Sequence, residues 1–168
     1  MYAQIVQDFT ATRRSQMAIS RGFKFPVESA IAFPKRLLLM GPIGPAIKYN
    51  PDRNAAPEQL VDYDPKTGEG TGMPLWKATV TDPHEASEGK GKRASFDIFF
   101  VSRHQPVPAG EQITDEMWFI ELEGLTAEPK VMGQGEFKYL GYAYRATGIK
   151  GDTNTPKATN SNGAKAAA

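Results

Sequence analysis

Short runs of aliphatic, β-branched and aromatic residues recur along the chain between residues 63 and 150. The clearest are residues 75–80, 96–101, 117–122 and 137–150. Segments that contain glycine or proline separate these runs, and this spacing is typical of strands in an all-β domain rather than of βαβ units. The pattern therefore predicts a small barrel or sandwich.

Turn-forming residues indicate how the strands connect. Residues 64–68 have the sequence DPKTG, in which proline presets one backbone dihedral and glycine supplies a positive φ. They predict a turn after a strand near residues 59–63. Gly133 and Gly135 predict a tight hairpin before the last strand, and the two prolines of residues 102–110 predict an irregular crossing.

Two further segments interrupt the strands. The apolar run at residues 37–40 is followed by two Gly-Pro pairs, which predict a bend or an edge because proline lacks the amide donor of a sheet ladder. Residues 85–93 are rich in charge and predict a solvated loop. The run at residues 96–101 is apolar on both faces, which predicts a central, buried strand.

These elements predict a mostly β fold of five or six strands, either a barrel like the oligonucleotide-binding (OB) fold or a small sandwich. We expect the β-domain to span residues 27–150. Residues 1–26 are expected to form a basic arm or a short helix. Residues 151–168 are rich in Thr, Asn, Gly, Lys and Ala, and predict a disordered tail because they have too little apolar surface to offset ordering entropy.

Charge does not by itself favour a polyanionic partner. The formal net charge is +1, so the molecule lacks the strong positive field of many nucleic-acid-binding proteins. Lysine and arginine are in excess at both ends of the chain, which leaves the middle net negative. There is no cysteine, which excludes disulfides and thiolate chemistry. We find no apolar run of membrane-spanning length and no secretory signal, and expect a cytoplasmic protein without membrane contact.

Enzymatic groupings do not assemble in the sequence. His84 and His104 lie in predicted loops without the spacing of metal ligands. The glycine-rich segments lack the Gly-Lys-Ser/Thr ending of a phosphate loop. Acidic residues that flank turns could in principle surround a divalent ion but are more often caps, namely Asp62, Asp64, Asp82 and Glu85. We expect no catalytic residue, metal or cofactor.

Four ordered blocks carry a family resemblance: GMPLWKATVTD at residues 72–82, HQPVP at 104–108, ELEGLT at 121–126 and YRATG at 144–148. Together they resemble the plasmid replication, integration and excision activators of actinomycete integrative and conjugative elements. The resemblance covers roughly residues 60–150. It implies a cytoplasmic accessory protein of a mobile element, and it implies no mechanism.

The order of hairpins and crossings also resembles, in architecture alone, the small single-stranded DNA-binding proteins of filamentous phages. Binding of a single strand requires aromatic faces for base stacking and nearby cations for phosphate. Aromatic residues and cations on or beside the predicted strands therefore form the candidate nucleic-acid-binding set: Trp76, Lys77, Lys90, Lys92, Arg93, Arg103, Tyr139, Tyr142 and Arg145.

Each candidate has a structural alternative. Trp76 shares the more apolar face of its strand with Ala78 and Val80, which favours a place in the core. Gly141 and Ala143 leave room beside Tyr139 and Arg145 for a flat ligand, or equally for a neighbouring strand or a barrel bend. The basic residues 90–93 are expected either to close over a phosphate backbone or to form a solvated loop tip.

A different class of function fits the same sequence. The near-neutral charge favours a protein-interaction module or transcriptional activator that recruits replication or recombination proteins through a sheet edge or through residues 105–108. A structural protein that forms a homo-oligomer is a further alternative.

Overall fold

A computed structural model describes residues 22–154 of the chain, with the side chain of Lys92 outside the description. Most of the expected arm, residues 1–21, and most of the expected tail, residues 155–168, therefore lie outside the described residues, whereas Phe25 and Pro26 of the expected arm pair with residues 126 and 127 in the sheet. Within residues 22–154 lie ten strands: β1 (Phe25–Pro26), β2 (Leu37–Pro45), β3 (Leu75–Thr81), β4 (Ser95–Val101), β5 (Glu111–Thr114), β6 (Met117–Ile120), β7 (Leu122–Glu123), β8 (Thr126–Met132), β9 (Tyr139–Ala146) and β10 (Gly148–Ile149). Three short helices accompany them: α1 (Ser29–Ala32), α2 (Pro83–Ser87) and α3 (Gly91–Ala94).

Eight of the strands form one open sheet in the order β1-β8-β9-β4-β3-β2-β6-β5, and β7 pairs with β10 in a separate ribbon. The predicted mostly β class is confirmed. The sheet has more strands than the five or six expected, and it is not closed, because its edge strands β1 and β5 do not pair with each other. Among the described residues, no helix has the length and apolar character needed to cross a membrane.

The hydrophobic core lies against one face of this sheet, which we call the inner face. Alternate residues of the central strands point into it and are buried, among them Leu39, Val80, Ile98 and Phe100. Residues from outside the large sheet close the core from the other side: Phe33, Leu122, Leu125 and Ile149. The opposite face, which we call the outer face, carries the intervening residues of the same strands.

Strand β4 is central, as its apolar pattern predicts. It pairs antiparallel with β3 along its whole length. Its other neighbour, β9, is parallel to it and pairs only through Phe99 with Arg145 and Phe100 with Ala146. The two strands therefore meet at one end and separate toward the start of β9.

The two Gly-Pro pairs lie inside β2 rather than after it. The register between β2 and β3 shifts between Met40 and Gly44, where Gly41 adopts a positive φ of 80°. Within the described part of the chain, only the first half of β2 pairs with β6, so the prolines occupy the half of β2 that has a single strand neighbour there. A strand that lacks a neighbour tolerates the missing amide donors of proline.

Two local predictions differ from the structure. Residues 59–63 form isolated bridges, with Gln59 opposite Ile47 and Val61 opposite Pro74, instead of a strand. The charged segment expected to be a loop contains α2 and α3. The carboxylate of Asp82 caps α2 by accepting a hydrogen bond from the amide of His84, and Pro83 occupies the first turn. This Asp-Pro signal was present in the sequence.

Strands β8 and β9 form a long antiparallel hairpin that extends beyond the rest of the sheet. Strand β1 covers β8 only at Thr126 and Ala127, and β4 reaches β9 only near its end. We call residues 128–142 the distal arm. The predicted hairpin is confirmed, although its loop spans residues 133–138 and is not tight.

Candidate nucleic-acid interface

The outer face of strands β3, β4 and β9 brings together several of the candidate residues. On β3, Ala78 and Val80 are buried, so Lys77 and Thr79 lie on the outer face. On β4, burial of Ile98 and Phe100 places Asp97 and Phe99 there as well.

Three residues form a row across this face. Lys77 pairs with Phe99 in the β3–β4 register, and Phe99 pairs with Arg145 in the β4–β9 register. Neighbouring strands are about 4.8 Å apart, so the two cationic residues are about 10 Å apart at their Cα atoms. An aromatic residue thus lies between two cationic ones, the combination that a stacked base and its phosphates require.

The first cation of the row, Lys77, forms an ion pair with a carboxylate. The Nζ atom of Lys77 lies 2.8 Å from an oxygen of Asp97, and both side chains are about half exposed. The hydroxyl of Thr79 donates to the other Asp97 oxygen at 3.0 Å. Because this pair is exposed to solvent, its attraction is weak and a phosphate competes for the lysine at modest cost.

The second cation is held more firmly. The guanidinium of Arg145 donates to the carboxylate of Asp62, which also accepts from the backbone amide and hydroxyl of Thr71. Burial acts to raise the pKa of Asp62, but the hydrogen bonds from Thr71 and the charges of Arg145 and Lys24 hold that pKa below its ordinary value. Arg145 therefore anchors the loop of residues 60–72 to β9, which limits what it contributes to a ligand.

A cation and an aromatic ring also meet at the start of β9. The guanidinium carbon of Arg93 lies 4.4 Å from the centre of the Tyr139 ring, within the range of a cation–π interaction. By alternation Tyr139 lies on the outer face, opposite to Leu140. One face of its ring is covered by the arginine, and the residue remains partly exposed to solvent.

The space expected over Gly141 is occupied. A Cβ atom at this position would lie 2.6 Å from the sulfur of Met132 on β8. The small residue therefore accommodates a neighbouring strand, which was one of the two alternatives drawn from the sequence, and the expected room for a flat ligand is not present at this point.

The two remaining aromatic candidates lie on the inner face. The indole N–H of Trp76 donates to the carbonyl of Ser102 at 2.9 Å, and the side chain packs partly buried against the core, as the structural alternative predicts. Tyr142 lies on the opposite side of β9 from Tyr139, and its ring centre is 6.3 Å from that of Tyr144. The structure therefore does not bring Trp76 or Tyr142 together with the outer-face residues.

The basic candidates Lys90, Lys92 and Arg103 do not belong to the row either. Lys90 lies 3.0 Å from Glu88 and 3.6 Å from Glu85, and the hydrogen bond to Glu88 raises the pKa of its ammonium group. Lys92 belongs to α3, but its side chain lies outside the described residues. Arg103 is exposed on the crossing that follows β4.

Phe99 completes the row, although the apolar run of residues 96–101 predicts a buried strand. Alternation gave the signal, since a residue between buried Ile98 and Phe100 must face outward. No group of three or more histidine or acidic side chains within residues 22–154 is arranged to hold a metal ion. The chain matches no protein-family model, no curated protein and no solved structure.

Proposed function

We propose that this protein is a non-enzymatic accessory protein that binds single-stranded DNA across the outer face of its open sheet. The row of Lys77, Phe99 and Arg145 carries the proposal, because it sets an aromatic residue between two cations. The stack of Arg93 on Tyr139 supplies a second aromatic ring near the start of β9. Each base that stacks on such a ring gains about 1–3 kcal/mol.

The carboxylates of the outer face shape the expected binding. Asp97 shares Lys77, and Asp62 holds Arg145, so the face has little excess positive charge. Binding is therefore expected to be weak for a protein of this class, with a small number of phosphate contacts and a shallow dependence on salt. Because the cations of this face lie close together, a flexible single strand can reach them more easily than a rigid duplex.

The biological setting rests on the resemblance to activators of plasmid replication, integration and excision. We propose that the protein acts in the cytoplasm in the DNA metabolism of a mobile element, where single strands form during replication and excision. Replication or recombination proteins of the same element are then the expected partners.

The test is fluorescence anisotropy of a labelled single-stranded oligonucleotide and its duplex, each titrated at low and moderate salt. Tyr139→Ala should weaken single-strand binding about tenfold because it removes a stacking platform. Lys77→Ala should reduce the salt slope by about 0.7 because it removes one phosphate contact.

Lys150→Ala is the matched control, since Lys150 is also an exposed, ion-paired lysine but lies beside the β7–β10 ribbon. It should bind like the parent protein. Absence of salt-sensitive binding to the single strand, or an equal loss in the Lys150→Ala variant, contradicts the proposal.

An edge of the sheet favours a second candidate function. Strand β5 is exposed along its whole length and, within residues 22–154, pairs only with β6, so its other side is available there for strand addition by a partner protein. The nearby prolyl segment is itself fixed to the fold, because Val107 donates to Asp152 at 3.1 Å. A protein-interaction module is the leading account if no oligonucleotide binds.

A further inference from the structure

The distal arm has an exposed apolar face that the proposed DNA interface does not use. Val131 is 72% exposed, Leu140 65% and Tyr142 49%, and Phe137 in the connecting loop is 86% exposed. The first three lie on the inner side of the hairpin, opposite to Tyr139. Together the four side chains expose on the order of 500 Å² of apolar surface, as much as the largest patch of a typical monomer.

This face continues the hydrophobic core outward. Tyr142 lies 6.3 Å from Tyr144 between ring centres, and Tyr144 packs at 5.2 Å against Phe33 and at 5.3 Å against Phe96. The core thus extends along β9 onto the arm, where the described residues provide no covering layer. A surface with core-like composition beyond the edge of the core is typical of an interface.

The backbone edges of the arm are also open within the described part of the chain. Strand β1 stops at its pair with Ala127, and β4 first meets β9 at Arg145. A two-stranded ribbon with so little strand pairing on either side is marginally stable in water. Association that covers its apolar face would stabilise it.

We infer that this face binds the same face of a second copy of this chain, with the two arms antiparallel. Val131 and Leu140 are directly opposed across the hairpin. Tyr142 is the next residue on the same face of β9 toward the sheet, and Phe137 lies toward the tip. A two-fold axis near Leu140 therefore sets the base of one arm against the tip of the other, so that Tyr142 meets Phe137. An interface that uses the same patch on both copies is the commonest symmetry of homodimers.

The charges of the arm favour this occupant over a polyanion or a lipid surface. Glu128, Lys130, Glu136 and Lys138 cancel, and Lys130 is itself paired with Glu128 at 3.5 Å. Two such arms do not repel each other. Without excess positive charge, the arm offers little attraction for the phosphates of a nucleic acid or a lipid surface.

The patch is smaller than the roughly 800 Å² that each partner contributes to a standard interface. The dimer is therefore expected to be reversible, with a dissociation constant on the order of 10 µM. This inference is independent of the proposed DNA binding, which uses the other face of the sheet.

Sedimentation velocity between about 1 and 100 µM tests the dimer. The parent protein should shift from monomer to dimer over this range, and Leu140→Glu should weaken association at least tenfold. Ile31→Glu is the control, because Ile31 is also largely exposed, at 72% against 65% for Leu140, but belongs to α1 and not to the hairpin. A parent protein that remains a monomer throughout overturns the inference, as does equal weakening by both variants.

The absence of cysteine allows a second test that does not depend on the affinity of a charged variant. Leu140→Cys places a single thiol near the proposed two-fold axis, where two copies can form a disulfide under mild oxidation. Most of this variant should cross-link to a dimer, whereas Ile31→Cys should not. Equal cross-linking at the two positions shows that the contact is random and overturns the inference.

Discussion

The guanidinium of Arg145 on β9 donates to the carboxylate of Asp62, 83 residues earlier in the chain. Both side chains are mostly buried, and the pair fixes the loop of residues 60–72 against the sheet. Asp62 also orders that loop from within by accepting two hydrogen bonds from Thr71. The same arginine belongs to the outer-face row, so the fold and the proposed interface share one residue.

Loss of this carboxylate should destabilise the protein in a pH-dependent way. Asp62→Asn should lower the free energy of unfolding at pH 7 by about 1–3 kcal/mol, because it leaves Arg145 without its charged partner. The folded-state pKa of Asp62 is depressed, so its contribution is complete above the unfolded pKa of about 4 and is lost as pH falls through the folded value.

The measurement is the thermal midpoint of both proteins from pH 7 to pH 3. The gap between the two thermal midpoints should stay constant down to about pH 4 and then narrow. Glu121→Gln is the control, since it breaks the exposed pair with Lys150 and should change the midpoint little. A gap that does not depend on pH contradicts the assignment.

Removal of the charge on Asp97 should strengthen DNA binding. Asp97→Asn frees Lys77 from its ion pair while an amide oxygen still accepts from Thr79. Single-strand affinity should rise about threefold to tenfold at low salt, with a steeper salt slope. Glu58→Gln makes the same change in net charge at the Lys48 pair, and it should have a much smaller effect in the same anisotropy titration.

Arg93 should contribute more to the binding of single-stranded DNA than Lys90. Arg93 stacks on Tyr139, whereas two glutamates already neutralise Lys90. Arg93→Ala should weaken single-strand binding and flatten its salt slope, and Lys90→Ala should do neither. In the triple alanine variant of Lys90, Lys92 and Arg93, the loss of binding free energy should be no larger than the sum of the losses in the three single variants. An unchanged affinity and slope for the triple variant would remove this segment from the interface.

Trp76 should prove to be a structural residue. Trp76→Phe removes the hydrogen bond to the Ser102 carbonyl and should cost about 1–2 kcal/mol of stability in urea unfolding. Its affinity for single-stranded DNA should not change, because the indole lies on the inner face. A loss of affinity without a loss of stability would instead identify Trp76 as a ligand-binding residue.

Two glycines of the β8–β9 loop should differ in their tolerance of alanine. Both have positive φ, 87° at Gly133 and 61° at Gly135. A Cβ at Gly133 would lie 2.0 Å from the carbonyl oxygen of Phe137, whereas a Cβ at Gly135 meets nothing within 4 Å. Gly135→Ala should cost about 1 kcal/mol from backbone strain alone, and Gly133→Ala ~3 kcal/mol. Urea unfolding compares the two, and equal costs would contradict this loop geometry.

The distribution of apolar residues predicted several elements closely. The alternation of residues 75–80 predicted β3, and the continuous apolar run of residues 96–101 predicted a central β4. Glycine and proline located the turn of residues 64–68, where Gly68 donates to the Asp64 carbonyl at 2.8 Å. These features depend on residues close together in sequence, so a local pattern contains the information that specifies them.

The proposed interface depended on pairing between distant segments. Lys77, Phe99 and Arg145 form a row only because β4 lies between β3 and a parallel β9 that begins 38 residues after β4 ends, and nothing local specifies that neighbour. The same holds for the carboxylates that share its cations, since Asp97 reaches Lys77 across a strand pair and Asp62 reaches Arg145 across the outer face.

The sequence by itself determined the mostly β class, the positions of the strongest strands and the side on which each of their residues lies, because alternation and turn chemistry are local properties of the chain. The tertiary structure decided that the sheet is open, that Trp76 and Tyr142 are separated from the cations, and that the distal arm extends past its neighbours. Those outcomes follow from strand order and register, which are set by the packing of the whole core and not by any single segment.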